Sequence, residues 1–331
     1  MIEREAPQCI GFVGAGNITQ LHLAGIARHG DRVAAAAMCD PDASALAARA
    51  AEHGIERTYP SVQEMIAVGG LDAAIVCTPT HVRGEVIGAL IEAGIPVLCE
   101  KPFAETYAEA AEMARLARAA GVPMAINQNF RRHFAFDLAR QVLTEGGLGR
   151  PLHLVHATAA LRRDRGWRLD RDRYVMAVMS IHWFDGYRFL LGEEPESVFC
   201  QALDSPATDG GPDTAFSAVL RFPGGVVASL SESFSSFAKP QTCCLDCEAG
   251  GLVMGYDKLV VIRPDGQTVE HANPYDKAEA TYWVLADLLD AVAAGRQPET
   301  SATDNLNSMR ILEAAYRSAR EGRVVALEEI Q

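Results

Sequence analysis

The chain has 331 residues, 49% of them apolar and 22% charged, with a formal net charge of −13 at pH 7. That length exceeds one comfortable core and implies two domains, and so acidic a balance excludes a surface built for nucleic acid or an anionic membrane. No apolar run reaches the ~18 residues needed to cross a bilayer, and Met1-Ile2-Glu3-Arg4-Glu5 lacks the basic head and apolar stretch of a secretory signal, so the expectation is a cytoplasmic protein. Eight cysteines agree with a reducing compartment. Cys243-Cys244-Leu245-Asp246-Cys247 has no second Cys pair or His partner nearby and reads as structural, so no metal is expected.

In chain order, residues 8–13 have the pattern of a buried strand and end in Gly14-Ala15-Gly16-Asn17-Ile18-Thr19. A helix is predicted over 20–28 and a second strand over 33–39, ending at Asp40. Gly14 permits the tight turn, and Gly16 lets a pyrophosphate approach backbone N–H groups at the helix N-terminus. Thr19 stands where the dinucleotide fingerprint has its third glycine. Asp40, some two dozen residues on, is where a ribose-diol acceptor belongs. Gly14, Gly16, Asn17, Ile18 and Asp40 are therefore the expected cofactor residues. Pro41-Asp42-Ala43-Ser44 supplies no arginine for a 2′-phosphate, which favours NAD over NADP.

The alternation continues with helices over 43–53 and 61–68 and a strand over 73–77 that opens into Thr78-Pro79-Thr80-His81. His81, at a helix entry, reads as structural. After a helix over 83–93, a continuous apolar strand over 96–99 runs into Glu100-Lys101-Pro102. Such a run suits the middle of a parallel sheet, and Lys101 would emerge at the carboxyl end, where ligands gather. A lysine there can act as a compact charge or as an acid or base, whereas the three residues taken alone read better as a strand-end Glu-Lys pair facing water. A helix over 107–120 and a strand over 123–127 complete an α/β, doubly wound Rossmann sheet, with a first domain over 1–127.

Asn127 to Arg132 marks the crossover into a second domain over 128–331. A helix over 134–144, a strand over 151–161 and a helix over 175–191 precede alternating runs at 197–203, 214–222, 226–234, 241–246, 258–262 and 268–270. Helices over 277–294 and 301–321 follow. The reading is an α+β domain with an open, mostly antiparallel sheet and helices on one face. On the 175–191 helix, His182 and Asp185 lie three apart and share a face.

The GAGNI turn at Gly14, Cys77-Thr78-Pro79-Thr80-His81, Glu100-Lys101-Pro102 and His182-Trp183-Phe184-Asp185 together resemble the glucose–fructose oxidoreductase / inositol dehydrogenase / MocA (Gfo/Idh/MocA) family, in motif order across nearly the whole chain. The resemblance implies NAD(P)-dependent oxidation or reduction of a sugar, polyol or sugar acid. It puts Thr78, Pro79, Glu100 and Lys101 at the cofactor, with Lys101 near the nicotinamide and its bond to Pro102 cis, and His182 in the site. It also implies a homodimer or homotetramer built on the outer face of the second sheet. Dehydrogenation needs a hydride acceptor, a base for the hydroxyl proton and a cation for the developing alkoxide. His182 is the expected base, Lys101 the cation and Asp185 a further catalytic candidate. For His182 taken alone, packing beside Trp183 and Phe184 is the alternative.

Two departures stand out. The family's acid four residues before this histidine and its glycine two before are Val178 and Ser180 here, so an orienting carboxylate has to come from Asp185, Asp164, Asp170 or Asp172. Just upstream, Arg162, Arg163, Arg165, Arg168, Arg171 and Arg173 crowd around Trp167. With Arg131, Trp167 and Arg168 are expected at the substrate, which would then be anionic; a solvated loop whose arginines pair with its own aspartates is the alternative. Two other functions stay open on the same fold: an NAD-dependent glycosidase, and a catalytically inactive nucleotide- or sugar-binding regulator.

Overall fold

Short, fully apolar runs between amphipathic helices build the first of two units in the computed structural model, which describes residues 6–163, 172–208 and 213–331. In order come β1 (Gln8–Val13), α1 (Asn17–Ile26), β2 (Val33–Cys39), α2 (Ala43–His53), β3 (Arg57–Tyr59), α3 (Val62–Val68), β4 (Ala73–Val76), α4 (Arg83–Glu92), β5 (Val97–Cys99), α5 (Tyr107–Ala120) and β6 (Met124–Ile126). The strands form one parallel sheet ordered β3-β2-β1-β4-β5-β6. Every residue of β4, β5 and β6 is buried, which is why these strands read as unbroken apolar runs. Asp42 caps α2 through Ser44 and Ala45 N–H, and Thr106 and Glu109 form a capping box on α5, so the helix starts were locally encoded.

This first unit comprises Met1–Asn129 together with Asp276–Leu306, which differs from the division after residue 127 read from the sequence. The helix Lys277–Ala294 belongs here because Tyr282, Leu285, Leu288 and Leu289 join the apolar cluster of Ile10, Phe12, Leu23, Met38 and Leu98. A Cβ on Gly25 of α1 would lie 2.7 Å from the Ala278 carbonyl, so only glycine allows the two helices to approach this closely. Arg28 pairs with Asp276 and Arg32 with Asp290 along the same seam. Two further differences are local. Helix α1 starts at Asn17, in the glycine turn itself, and the three-residue β3 is too short to leave a periodic pattern.

The second unit, Phe130–Tyr275 with Asn307–Gln331, contains α6 (Phe134–Glu145), β7 (Pro151–Ala159), a π-helical turn Met176–Ser180 running into α7 (Ile181–Leu191), β8 (Ser197–Leu203), β9 (Ala215–Arg221), β10 (Val227–Ser233), β11 (Gln241–Cys247), β12 (Gly250–Met254), β13 (Lys258–Ile262) and β14 (Thr268–Ala272). After the helix Lys277–Ala294 (α8) come α9 (Ala302–Glu321) and β15 (Val325–Ala326). The nine-stranded sheet has the order β14-β13-β12-β11-β7-β10-β9-β8-β15. It is antiparallel except for the parallel pair β7–β10. Strands β9 and β10 alternate buried and exposed residues, as one covered face demands. β12 escaped the sequence reading because it opens with two glycines; a Cβ on Gly250 would come within 2.3 Å of the Ile262 carbonyl. All eight cysteines are free, and among the described residues no helix is long and apolar enough to cross a membrane.

Candidate functional site

At the carboxyl end of β1 the chain turns through Gly14 at φ +105°, where a Cβ would sit 3.0 Å from the backbone of Cys77. Glycine is therefore required by both conformation and space. Thr19, fully buried, donates from Oγ1 to the Gly14 carbonyl at 2.7 Å, so the residue replacing the third glycine ties down the turn. Gly16 is the N-cap of α1, and among the described residues no side chain caps this helix start and a Cβ on Gly16 would meet nothing within 4 Å. Open space thus lies over the N-terminal amides of Asn17 and Ile18, the arrangement that accepts a phosphate. Half-buried Asp40 accepts from Ala15 N–H with Oδ2 at 2.7 Å and from Asp42 N–H with Oδ1 at 2.8 Å. It thereby fastens the turn to the end of β2. The Thr78 hydroxyl, beyond β4, is buried without a hydrogen-bond partner among the described residues. An uncapped helix start, an open glycine and an orphaned hydroxyl fit a dinucleotide. Pro79 is half-buried at the start of the turn Thr80–Val82, and His81 is exposed.

Strand β5 delivers Glu100 and Lys101 to the same edge of the sheet, since β1, β4 and β5 are adjacent and parallel. Glu100 is only 3% exposed. Its Oε1 accepts from Asn127 Nδ2 at 2.6 Å and lies 2.8 Å from His22 Nε2, while Oε2 accepts from Lys101 N–H at 3.3 Å. Burial alone would raise the pKa of Glu100. The hydrogen bond and charge of His22, with Lys101 and Asn127, overcome it and hold the carboxyl at about 2. The buried Arg83 sits alongside: Nε and Nη2 donate to the Thr78 carbonyl at 3.0 and 2.8 Å, and Nη1 donates to the carbonyls of Glu100, at 2.7 Å, and Pro102. Lys101 is half-buried, and its bond to Pro102 is cis.

In the second unit His182, 3% exposed, stacks on Phe130 with ring centroids 4.2 Å apart, and Phe130 meets Trp183 edge-on. The π-helical turn leading into this helix is held at its start by Asp213. Oδ1 accepts from Tyr174 N–H at 2.7 Å, and Oδ2 accepts from Met176 N–H at 3.0 Å and from the Tyr316 hydroxyl at 3.1 Å. Burial pushes the Asp213 carboxyl up to about 7 despite these donors. Asp185 is fully buried: Arg131 donates to it twice at 2.7 Å, Arg188 at 3.2 Å and the Ser308 hydroxyl at 2.7 Å. Burial works against its ionised form, but Arg131 and Arg188 hold its pKa below the ordinary value. Among the described residues no group of three or more His, Cys, Asp or Glu side chains could hold a metal ion.

Residues 9–128 match the family model described as oxidoreductase family, NAD-binding Rossmann fold, and residues 136–253 match the GFO/IDH/MocA C-terminal domain. The chain belongs to the Gfo/Idh/MocA oxidoreductases. It is 29% identical to a D-apiose dehydrogenase of Paraburkholderia graminis, over 97% of this chain and 90% of that one. It is also 29% identical to a 1,5-anhydro-D-fructose reductase of Ensifer adhaerens, over 96% and 98%. A levoglucosan dehydrogenase in complex with NADH and levoglucosan has the same fold, with a TM-score of 0.89 at 20% identity, over 97% of this chain and 99% of that one.

Three of the residues expected in the site of a Gfo/Idh/MocA enzyme lie in buried contacts. Glu100, expected at the cofactor, is an ionised anchor buried beneath Lys101. Asp185 and Arg131, expected as a catalytic and a substrate residue, form a buried bidentate pair that fixes α7. Asp185 has no exposed surface, and its oxygens accept from Arg131, Arg188 and Ser308. Of the other acids expected to orient His182, Asp172 is exposed, and Asp164 and Asp170 lie outside the described residues. So do Trp167 and Arg168, expected at the substrate, and with them Arg165 and Arg171. Two flanking arginines are engaged: Arg162 lies over the Phe234 ring, and Arg173 pairs with Glu313 at 2.9 Å. The sequence reading missed His22, Arg83, Asn127 and Asp213. For His22 a signal existed, since Thr19, His22, Leu23 and Ile26 form a buried stripe at helical spacing whose polar members need buried partners.

Proposed function

We propose that the chain is an NAD-dependent dehydrogenase of a sugar, polyol or sugar acid, with Lys101 and His182 as its catalytic residues. Bound NAD would take the hydride from the carbinol carbon. The Lys101 ammonium steadies the oxygen as it becomes an alkoxide, and a ring nitrogen of His182 accepts the hydroxyl proton. The reading is carried by one observation: the open Gly16 turn, Thr78 and Lys101 leave neighbouring parallel strands at the same sheet edge, with Lys101 fixed to an ionised Glu100. The activities of the apiose and anhydrofructose relatives support a carbohydrate substrate. Asp40, at the end of β2, supports NAD over NADP, because a carboxylate there repels a 2′-phosphate. The free cysteines favour a cytoplasmic protein. Phe199, Leu203, Val219 and Val227, exposed on the strands β8 to β10, favour a homodimer or homotetramer through that sheet.

The test is incubation with NAD or NADP and a panel of sugars, polyols and sugar acids. Net NADH formation, faster than NADPH formation from NADP, is expected. Release of an aglycone from glycosides without net NADH, or binding without turnover of any alcohol, would overturn the assignment in favour of a glycosidase or a regulator.

A further inference from the structure

An arginine buried as deeply as Arg83, 4% exposed, ordinarily meets a carboxylate. Among the described residues Arg83 meets three backbone carbonyls instead, those of Thr78, Glu100 and Pro102. Two of these flank Lys101 on either side, and the third belongs to the segment leaving the neighbouring strand β4. The planar guanidinium is the one side-chain group that can donate in several fixed directions at once. It ties the Glu100-Lys101-Pro102 turn to the Thr78 turn through main-chain atoms alone, while His22 and Asn127 hold the Glu100 side chain from below. We propose that Arg83 is a positioning residue for Lys101: it sets where the ammonium stands relative to the sheet edge without touching substrate. This rests on the catalytic reading of Lys101 given above.

A displacement of about 1 Å at a reacting group can cost on the order of 10²-fold in rate. Arg83→Met keeps the stem and removes the donors, so kcat should fall about 10- to 100-fold, with KM and the NAD dissociation constant changed less than about threefold. On a Lys101→Ala background the same substitution should cost nothing further in kcat, because the group it positions is gone. A second readout needs neither substrate nor NAD. Lys101 is one of only four lysines, with Lys239, Lys258 and Lys277, so ¹³C reductive methylation yields a sparse spectrum. In Arg83→Met the Lys101 dimethyl signal should shift while the other three stay. If Arg83→Met fails to unfold cooperatively, Arg83→Lys carries the same measurements, since one ammonium cannot hold three carbonyls. Wild-type kcat and an unmoved Lys101 signal in a folded Arg83 variant, with Lys101→Ala inactive, would overturn the proposal and leave Lys101 catalytic. Near wild-type turnover in Lys101→Ala would instead remove the catalytic reading on which it stands.

Discussion

Each unit buries a carboxylate next to its candidate catalytic element, and the two carboxylates sit in opposite protonation regimes. Glu100, under Lys101, is held at about 2; Asp213, at the start of the turn leading to His182, is pushed up to about 7. Their burial is similar, at 3% and 5% exposed. Their partners differ. Glu100 faces His22 and Lys101 besides the Asn127 amide, whereas Asp213 accepts from two backbone amides and a tyrosine hydroxyl. Amide and hydroxyl donors offset part of the desolvation of a carboxylate; a neighbouring cation reverses it. Around Lys101 the fold has built a permanent charge. Around the His182 helix it has built a cap whose charge depends on pH.

The largest effect expected from this contrast is kinetic. Lys101→Ala should lower turnover about 10²- to 10³-fold, because a charged transition-state contact is lost. The NAD dissociation constant, measured by titration, should hardly move. Next is stability. His22→Leu removes a hydrogen-bond partner from the buried Glu100 charge, and breaking a buried pair from one side costs about 3–5 kcal/mol. Urea unfolding at neutral pH measures this, and Glu100→Gln, which removes the charge, should cost less.

Asp213→Asn tests the other half of the comparison through pH. The folded value of Asp213, about 7, stands above its ordinary 3.8, so the native state keeps a proton that the unfolded chain has released. Its contribution is full below about 4 and is lost as pH rises to about 7. Glu100 acts in the opposite sense: its stabilisation is present above 4.5 and is lost as pH falls toward about 2. Asp213→Asn should therefore flatten the stability profile between about 4 and 7 without altering the acid limb. Asparagine tolerates the left-handed backbone, φ 55°, that residue 213 adopts. Smallest is Asp40→Ala. Loss of this half-buried carboxylate should weaken NAD binding by about tenfold, or about 1.4 kcal/mol, and narrow the margin over NADP.

Much of the first unit was legible because its information is local. Buried parallel strands read as apolar runs, caps mark the helix starts, and Gly14 and Lys101 sit at strand ends where chemistry is expected. The glycine turn, Asp40 and Glu-Lys-Pro all lie within or just beyond such elements. What escaped depends on pairs far apart in the chain. Glu100 meets His22 across 78 residues, Asp185 meets Arg131 across 54, and Asp213 meets Tyr174 across 39. No periodicity announces such partners, and a polar residue's role reverses with them: Asp185 looked like a helix-face acid and is a buried tie. The return of α8 to the first unit escaped for the same reason, since its apolar face could serve either sheet until Gly25 and Ala278 were seen in contact.

The most direct measurement is a ¹³C carboxyl NMR titration of Glu100 and Asp213 in the same sample. Asp213 should titrate near pH 7, and Glu100 should remain ionised down to at least about pH 3, matching values of about 7 and about 2. A Glu100 that takes up its proton near its ordinary 4.5 would contradict the permanent charge beneath Lys101, and with it the anchoring of the proposed catalytic lysine.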